Sequence, residues 1–200
     1  MRQLVRDGYP IEFFIEGGRS RTGKLLPARL GVLSMILDSA GRHREGWDVN
    51  LLPIAISYEQ IAEARAYERE LSGASKKTEN VGQVVKASGG IFRKRFGRVF
   101  LRVGEPIRAS EVLSTGGKPW AELDEDHRAE ILQLTGERLM YRISRNMVML
   151  PTGVAAMALL AQHKSTVSRS VLKARTRRIT AALLGQGALP GHPMAEAHWG

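Results

Sequence analysis

Two hundred residues suffice for one substantial core, or for one domain with a smaller appendage. Apolar residues make up 43% and charged residues 25%, a globular composition that excludes wholesale disorder, and the absence of cysteine excludes disulfides, thiolate metal sites and a cysteine nucleophile. Thirty Lys and Arg against 20 Asp and Glu leave a net charge of +10, a surplus that attracts nucleic acid, acidic lipid or phosphorylated small molecules.

The first ten residues, MRQLVRDGYP, hold no apolar signal-peptide core. Residues 1–7 read as the last turns of a helix that Gly8 ends, and residues 11–15 as a mostly buried strand of β-branched and aromatic side chains. A polar, glycine-rich loop runs over 16–27. Leu30, Leu33, Ile36 and Leu37 recur at helical spacing within 28–40. A second buried strand is expected over 51–57, a surface helix over 61–71, a loop over 72–80, a short helix over 81–88 and a third strand over 99–103. Strands alternating with helices predict an α/β sheet containing parallel pairs. Beyond Gly116 and Gly117 the chain turns helical: 120–146, 151–162 and 168–184 all read as helices, with Pro119 and Pro151 at first-turn positions. The longest mostly apolar stretch, 147–161, is shorter than the ~20 residues that cross a bilayer, and Pro151 and Gly153 interrupt it; it reads as a buried or surface-lying helix. The expected division is an α/β part over 1–115, a helical segment over 119–184 and a poorly ordered tail over 185–200.

The most informative stretch is IEFFIEGGRSRTGKLL, residues 11–26. A strand runs straight into a loop where Gly17 and Gly18 let the backbone turn tightly and approach a ligand. Arg19 and Arg21 offer planar forks matched to phosphate oxygens, and Ser20, Thr22 and free backbone N–H groups add donors. Open α/β sheets place ligands at this end of a strand. A solvated basic turn is the competing reading; the strand leading in, and three cations between Arg19 and Lys24, count against it. Gly18 to Lys24 also spells the start of a nucleotide P-loop, but Leu25 stands where magnesium needs Ser or Thr.

At this loop the chain resembles the glycerol-3-phosphate acyltransferases, the large bacterial type above all. FFIEGGRSRTGKLLP is similar to their third conserved block, and LLPIAISYEQI to their fourth, with Pro53, Tyr58 and Glu59 in place. RLGVLSMILDSA, AYERELSGASKKTENVGQVVKA, FGRVFLRVGEPI and LMYRISRNMVMLPTGVAAMALLA extend the resemblance over roughly residues 1–180. It implies a partial acyltransferase sheet with flanking helices, followed by a helical segment. It implies transfer of an acyl group from acyl-CoA or acyl carrier protein to the 1-hydroxyl of glycerol 3-phosphate, with no metal or bound cofactor. The phosphate-holding role falls on Arg19 and Arg21, with Glu16, Gly17, Gly18 and Ser20 shaping the loop, and Pro53 and Tyr58 on the acyl-donor side. Lys24 is a further phosphate contact inferred from its charge.

The family's catalytic block, His-x-x-x-x-Asp, is missing: the fifteen residues before Glu16 contain no histidine. The chain is therefore expected to be a fragment with negligible turnover by itself and an exposed apolar sheet edge. The alternatives are a non-catalytic anion-binding remnant, or acylation of dihydroxyacetone phosphate by a sister group that favours Thr at the position of Gly18. His43 to Asp48 spells His-x-x-x-x-Asp, but after the phosphate loop, and reads as a chance match in a polar connection. His127, His163, His192 and His198 read as surface residues with no metal-site spacing. From Lys164 to Arg178 six Lys and Arg occur with no acid, beside apolar positions at partial helical spacing, which suits an anionic membrane surface; a solvated helix packing one face on the domain is the competing reading. Spread-out basic residues and few aromatics argue against nucleic acid. The expected location is peripheral, on the cytoplasmic face of the inner membrane.

Overall fold

The computed structural model describes residues 1–18, 24–42, 48–59, 97–161 and 166–191. The expectations for 61–71, 72–80, 81–88 and the tail beyond residue 191 lie outside the described residues. Contacts divide the chain into two compact units, residues 1–55 with 102–147, and residues 56–101 with 148–200.

The first unit is built round helix α2, Gly31–Ala40, whose Leu33, Ile36 and Leu37 fall on one stripe and are buried. The short helix α1, Arg2–Arg6, packs against it. So do α3, Ala109–Ser114, and the long α4, Glu125–Asn146. Ile15, Leu51, Ile107, Val112, Trp120, Leu123 and Leu139 complete this core. Asp124 caps α4 by accepting from the His127 N–H at 2.9 Å, Glu125 and Asp126 sit in its first turn and Arg145 in its last, all favourable to the helix dipole. Gly136 lets α4 approach its neighbour closely: a Cβ there would lie 2.6 Å from a Leu30 methyl. A turn of 3-10 helix, Trp120–Glu122, buries the Trp120 ring, whose Nε1–H donates to Asp38 at 2.7 Å. Because residues 119–146 pack on α2, they belong with the first unit. The grouping by contacts therefore runs across residue 115.

Two expected strands change character. Residues 11–14 form no regular element and Ile15 lies in a turn, with no ladder partner among the described residues; Phe14 is exposed while Ile15 is buried. The expected strand over 51–57 is two strands, β1, Asn50–Leu51, and β2, Ile54–Tyr58. Pro53 separates them because it has no N–H to give to a ladder. On its far side the chain changes partner. β1 pairs antiparallel with β4, Ile107–Arg108, in the register Asn50 to Arg108 and Leu51 to Ile107. β2 pairs with β3, Val99–Val103. The Gly104 N–H donates to Pro53 O at 2.8 Å, and the Glu59 N–H donates to Arg98 O at 3.1 Å, so β2 and β3 run in opposite directions. Nor is β2 buried on both faces: Ala55 and Ser57 point inward, and Ile54, Ile56 and Tyr58 are exposed.

In the second unit β5, Val148–Met149, pairs parallel with β6, Leu189–Pro190. This is the parallel pair among the described residues whose register is defined; the expectation of a parallel sheet from the first three strands is not met. The Val148 N–H donates to the buried Ser57 hydroxyl at 3.2 Å. Helices α5, Pro151–Leu160, and α6, Arg169–Gly185, pack on each other, with Pro151 at the first turn of α5 and Ser168 capping α6. Residues 185–191 are tied down by β6 and by the Gly191 N–H on Met149 O, contrary to the expected loose tail there. The mixture of helices and short strands agrees with the α/β class, and no sheet among the described residues closes into a barrel.

Asp48, from the connection that carries the chance His-x-x-x-x-Asp match, serves the fold. Its Oδ1 accepts from the Val49 and Ser110 N–H groups, both at 2.9 Å, and its Oδ2 accepts from the Ser110 hydroxyl at 2.5 Å. It thereby caps the start of α3 from a distant part of the chain. Partial burial pushes its carboxyl up, but the Ser110 and Val49 hydrogen bonds and the nearby Arg108 guanidinium outweigh this and hold it below the usual carboxylate value. A depressed carboxyl stabilises the fold fully above its unfolded value and loses that contribution as pH falls through its folded one. Asp48→Ala is expected to cost about 1 kcal/mol near neutral pH, as for a lost capping oxygen. Thermal melts taken at decreasing pH are expected to show the gap to the parent chain closing below the carboxylate range.

Candidate anion-binding loop

The glycine- and arginine-rich loop rises from a stem that the structure defines. Ile15 is anchored in the core of the first unit, and its carbonyl accepts the Arg29 N–H at 2.7 Å. One residue on, the Glu16 carboxylate accepts the Leu26 N–H at 2.8 Å. The two bonds bring both ends of the loop together. Glu16 thus uses its charge on a backbone donor.

Gly17 follows with φ of 64°, a backbone conformation that side chains disfavour, and its N–H donates to Phe14 O at 2.9 Å. A Cβ on Gly17 would lie 2.7 Å from Arg29 Cγ, in the segment that returns from the loop. Gly17 is therefore required by the fold. Gly18 is not: it has no positive φ, and a Cβ there would meet nothing within 4 Å. Arg19, Ser20 and Arg21 lie outside the described residues; Lys24 is described, and exposed.

Of the two residues assigned to the acyl-donor side, Pro53 is among the fully buried side chains, below 2% exposed, and its carbonyl holds the Gly104 N–H. Any influence it has on a ligand passes through the strand it interrupts. Tyr58 is exposed on the outer face of β2. Glu16, Gly17 and Pro53 fall in the first unit and Tyr58 in the second. Glu59, next in the chain, bends back on its own hairpin stem: its Oε2 accepts the Arg98 N–H at 2.9 Å, close against Gly97, whose φ is 74°. The Glu59–Gly97 pair was invisible to sequence reasoning, because the two residues are far apart in the chain.

Among the histidines, His43, His163, His192 and His198 lie outside the described residues. His127 sits in the first turn of α4 with its Nδ1 at 2.7 Å from both Asp124 oxygens, in solvent. The backbone N–H of His127 and then its ring hold the Asp124 carboxyl below the usual value. This is a helix cap. Among the described residues, no group of three His, Cys, Asp or Glu could hold a metal ion.

Comparison with known proteins adds an independent line. Residues 67–198 match the profile of the glycerol-3-phosphate acyltransferase C-terminal region, and residues 1–57 match the acyltransferase profile. A glycerol-3-phosphate acyltransferase of Pseudomonas putida strain KT2440 is 36% identical over 93% of this chain, and one of Ectopseudomonas mendocina is 37% identical over 92%. A third, of Pseudomonas syringae pv. tomato, is 34% identical over 82%. The chain spans 23% of the length of the first two relatives and 20% of the third. No solved structure matches the chain.

The contrast between the two glycines is open to test. Gly17→Ala is expected to destabilise the chain by about 1 kcal/mol or more, from the strained φ and the Arg29 contact, whereas Gly18→Ala leaves the unfolding midpoint within a few tenths. Parallel thermal melts of the two variants check this.

Proposed function

Because the chain belongs to the glycerol-3-phosphate acyltransferase C-terminal region family, we propose that it is part of an enzyme that acylates the 1-hydroxyl of glycerol 3-phosphate. In our reading the loop after Gly17 grips the acceptor's phosphate. The observation that carries this is the closed stem: Glu16 on Leu26 and Ile15 on Arg29 hold a short loop that bears Arg19, Ser20, Arg21 and Lys24. Joining the two ends of a loop removes part of its chain freedom in advance, so less is lost when a dianion binds. The similarity to glycerol-3-phosphate acyltransferases along nearly the whole chain supports the choice of acceptor.

The chemistry proposed for the whole enzyme balances simply. The acceptor hydroxyl oxygen attacks the thioester carbonyl of acyl-CoA or acyl carrier protein, an ester C–O bond forms, the C–S bond breaks, and the hydroxyl proton passes to a general base while the thiol leaves. This chain's contribution is to fix the phosphate, and through it the distance of the 1-hydroxyl from the donor. The product is a membrane-lipid precursor, so the enzyme is proposed to work on the cytoplasmic face of the inner membrane, attached peripherally. No helix among the described residues is long and apolar enough to cross a membrane.

Titration of the chain with glycerol 3-phosphate, followed by calorimetry, tests the central point. Saturable binding is expected, and Arg19→Ala or Arg21→Ala is expected to weaken it by about 10- to 100-fold, the range for losing charge-assisted hydrogen bonds. Binding unaltered in both variants would refute the assignment. Dihydroxyacetone phosphate as a second titrant reads the acceptor preference directly.

A further inference from the structure

The paired helices α5 and α6 carry a surface that the phosphate loop does not explain. α5, PTGVAAMALL, contains no charged residue. Its Val154 and Ala158 are buried, yet Met157 and Leu159 are each 50% exposed and Leu160 is 84% exposed. A helix that is apolar all round normally lies wholly inside a protein or in lipid; here one side of it is left in solvent. α6 turns a stripe of Leu172, Thr176, Ile179, Thr180 and Leu183 inward. Its outer side carries Val171, Ala174, Arg178 and Ala181, with Arg169 and Lys173 also exposed and Arg175 and Arg177 half-buried.

The two helices and the sequence that links them carry basic residues and no acid. No aspartate or glutamate occurs between Glu137 and Glu196, while that stretch holds nine Lys and Arg. The chain as a whole contains 20 acids, so the acid-free run is a regional feature. An exposed apolar helix end on the same helix pair as the exposed α6 cations matches an anionic lipid surface on both counts: the acyl boundary takes the apolar side chains and the headgroup phosphates take the cations. Nucleic acid satisfies only the second count, and neither helix has an aromatic residue on which a base could stack.

We propose that the α5–α6 pair is an interfacial membrane-binding element, in which Met157, Leu159 and Leu160 enter the headgroup–acyl boundary of an anionic leaflet while the α6 cations rest on lipid phosphates. Ten residues of helix reach roughly 15 Å, about half the ~30 Å hydrocarbon core, so α5 dips into one leaflet only. The inference rests on the reading of the enzyme as peripheral at a membrane, and it names the surface that does the attaching.

The test is co-sedimentation of the full chain with vesicles of phosphatidylcholine containing phosphatidylglycerol, against phosphatidylcholine alone, at low and high salt. Binding is expected to the anionic vesicles and to fall with salt. Leu160→Ser with Met157→Ser is expected to reduce partitioning by about tenfold or more. Lys173→Gln and Arg178→Gln each reduce it about fivefold and flatten the salt dependence. All four positions are exposed, and circular dichroism confirms that the variants fold. As a second readout, Leu160→Trp is expected to shift its fluorescence to the blue on adding anionic vesicles. No binding at low salt, equal binding to both vesicle types, or an unshifted Leu160→Trp spectrum overturns the proposal; so does RNA binding that competes the chain off vesicles while the Leu160→Ser change has no effect. Glycerol 3-phosphate titration of the same variants separates the two readings. Intact phosphate binding with no vesicle binding rejects only the membrane element, and vesicle binding that survives a failed phosphate titration rejects only the acceptor assignment.

Discussion

The hydrogen bond that the Leu26 N–H gives to the Glu16 carboxylate closes the loop on which the proposed function depends. A flexible loop must lose chain entropy to bring its ends together. Here the loss is met at the stem, by Glu16 and by the Arg29 N–H on Ile15 O, before any ligand arrives. Ile15 in turn is fixed because it is packed with Leu33, Leu37 and Leu139 in the core of the first unit. The chain of cause therefore runs from an ordinary apolar core, through one carboxylate, to the placement of a basic loop. Gly17 is the other necessary part, since its positive φ turns the chain just where Arg29 returns alongside.

Two carboxylates of the first unit illustrate how a charge is read from its partners. Glu16 precedes three cations, and its carboxylate holds a backbone N–H across the stem. Asp48 completes a pattern that mimics a catalytic block, yet both its oxygens are taken by Val49 and Ser110 at the start of α3. In each case the backbone donor prevails because an unpaired N–H at a helix start or loop base is costly to leave unmet, and a carboxylate is the strongest acceptor available. A short pattern with two fixed residues carries little information against such structural demands.

Positive charge is distributed with the same selectivity. Acids are placed where helices begin, at Asp124, Glu125 and Asp126 of α4, and are missing altogether from the stretch that includes α5 and α6. The first unit thus holds acids and bases in near balance, while the stretch of the second that carries α5 and α6 has basic residues without acids beside exposed apolar side chains. The outer face of β2, with Ile56 and Tyr58 uncovered, adds to the apolar surface of this second unit. Net charge alone reported a preference for anions; only its location separates a phosphate-sized target from a surface-sized one.

Much was legible in the sequence. Helix α2 announced itself through apolar spacing and α5 through Pro151 at its start, because helix formation is set by nearby residues, whereas the start expected at Pro119 went to a turn of 3-10 helix and Asp124 became the cap of α4. The loop was legible too, since two glycines followed by arginines are a local signal, and so was the family, carried by contiguous blocks. What the sequence did not determine was every feature that depends on a partner distant in the chain. Residues 11–15 have strand-forming side chains, but a strand exists only against a neighbour. Pro53 divided the second strand and sent its halves to β4 and β3. The inward face of β2 went to Ala55 and Ser57, although its isoleucines are the more apolar, because alternation fixes two faces and only packing decides which is covered. Glu16 on Leu26, Asp48 on Ser110 and Glu59 on Arg98 belong to the same class: the acceptors were visible, and the tertiary structure chose their donors.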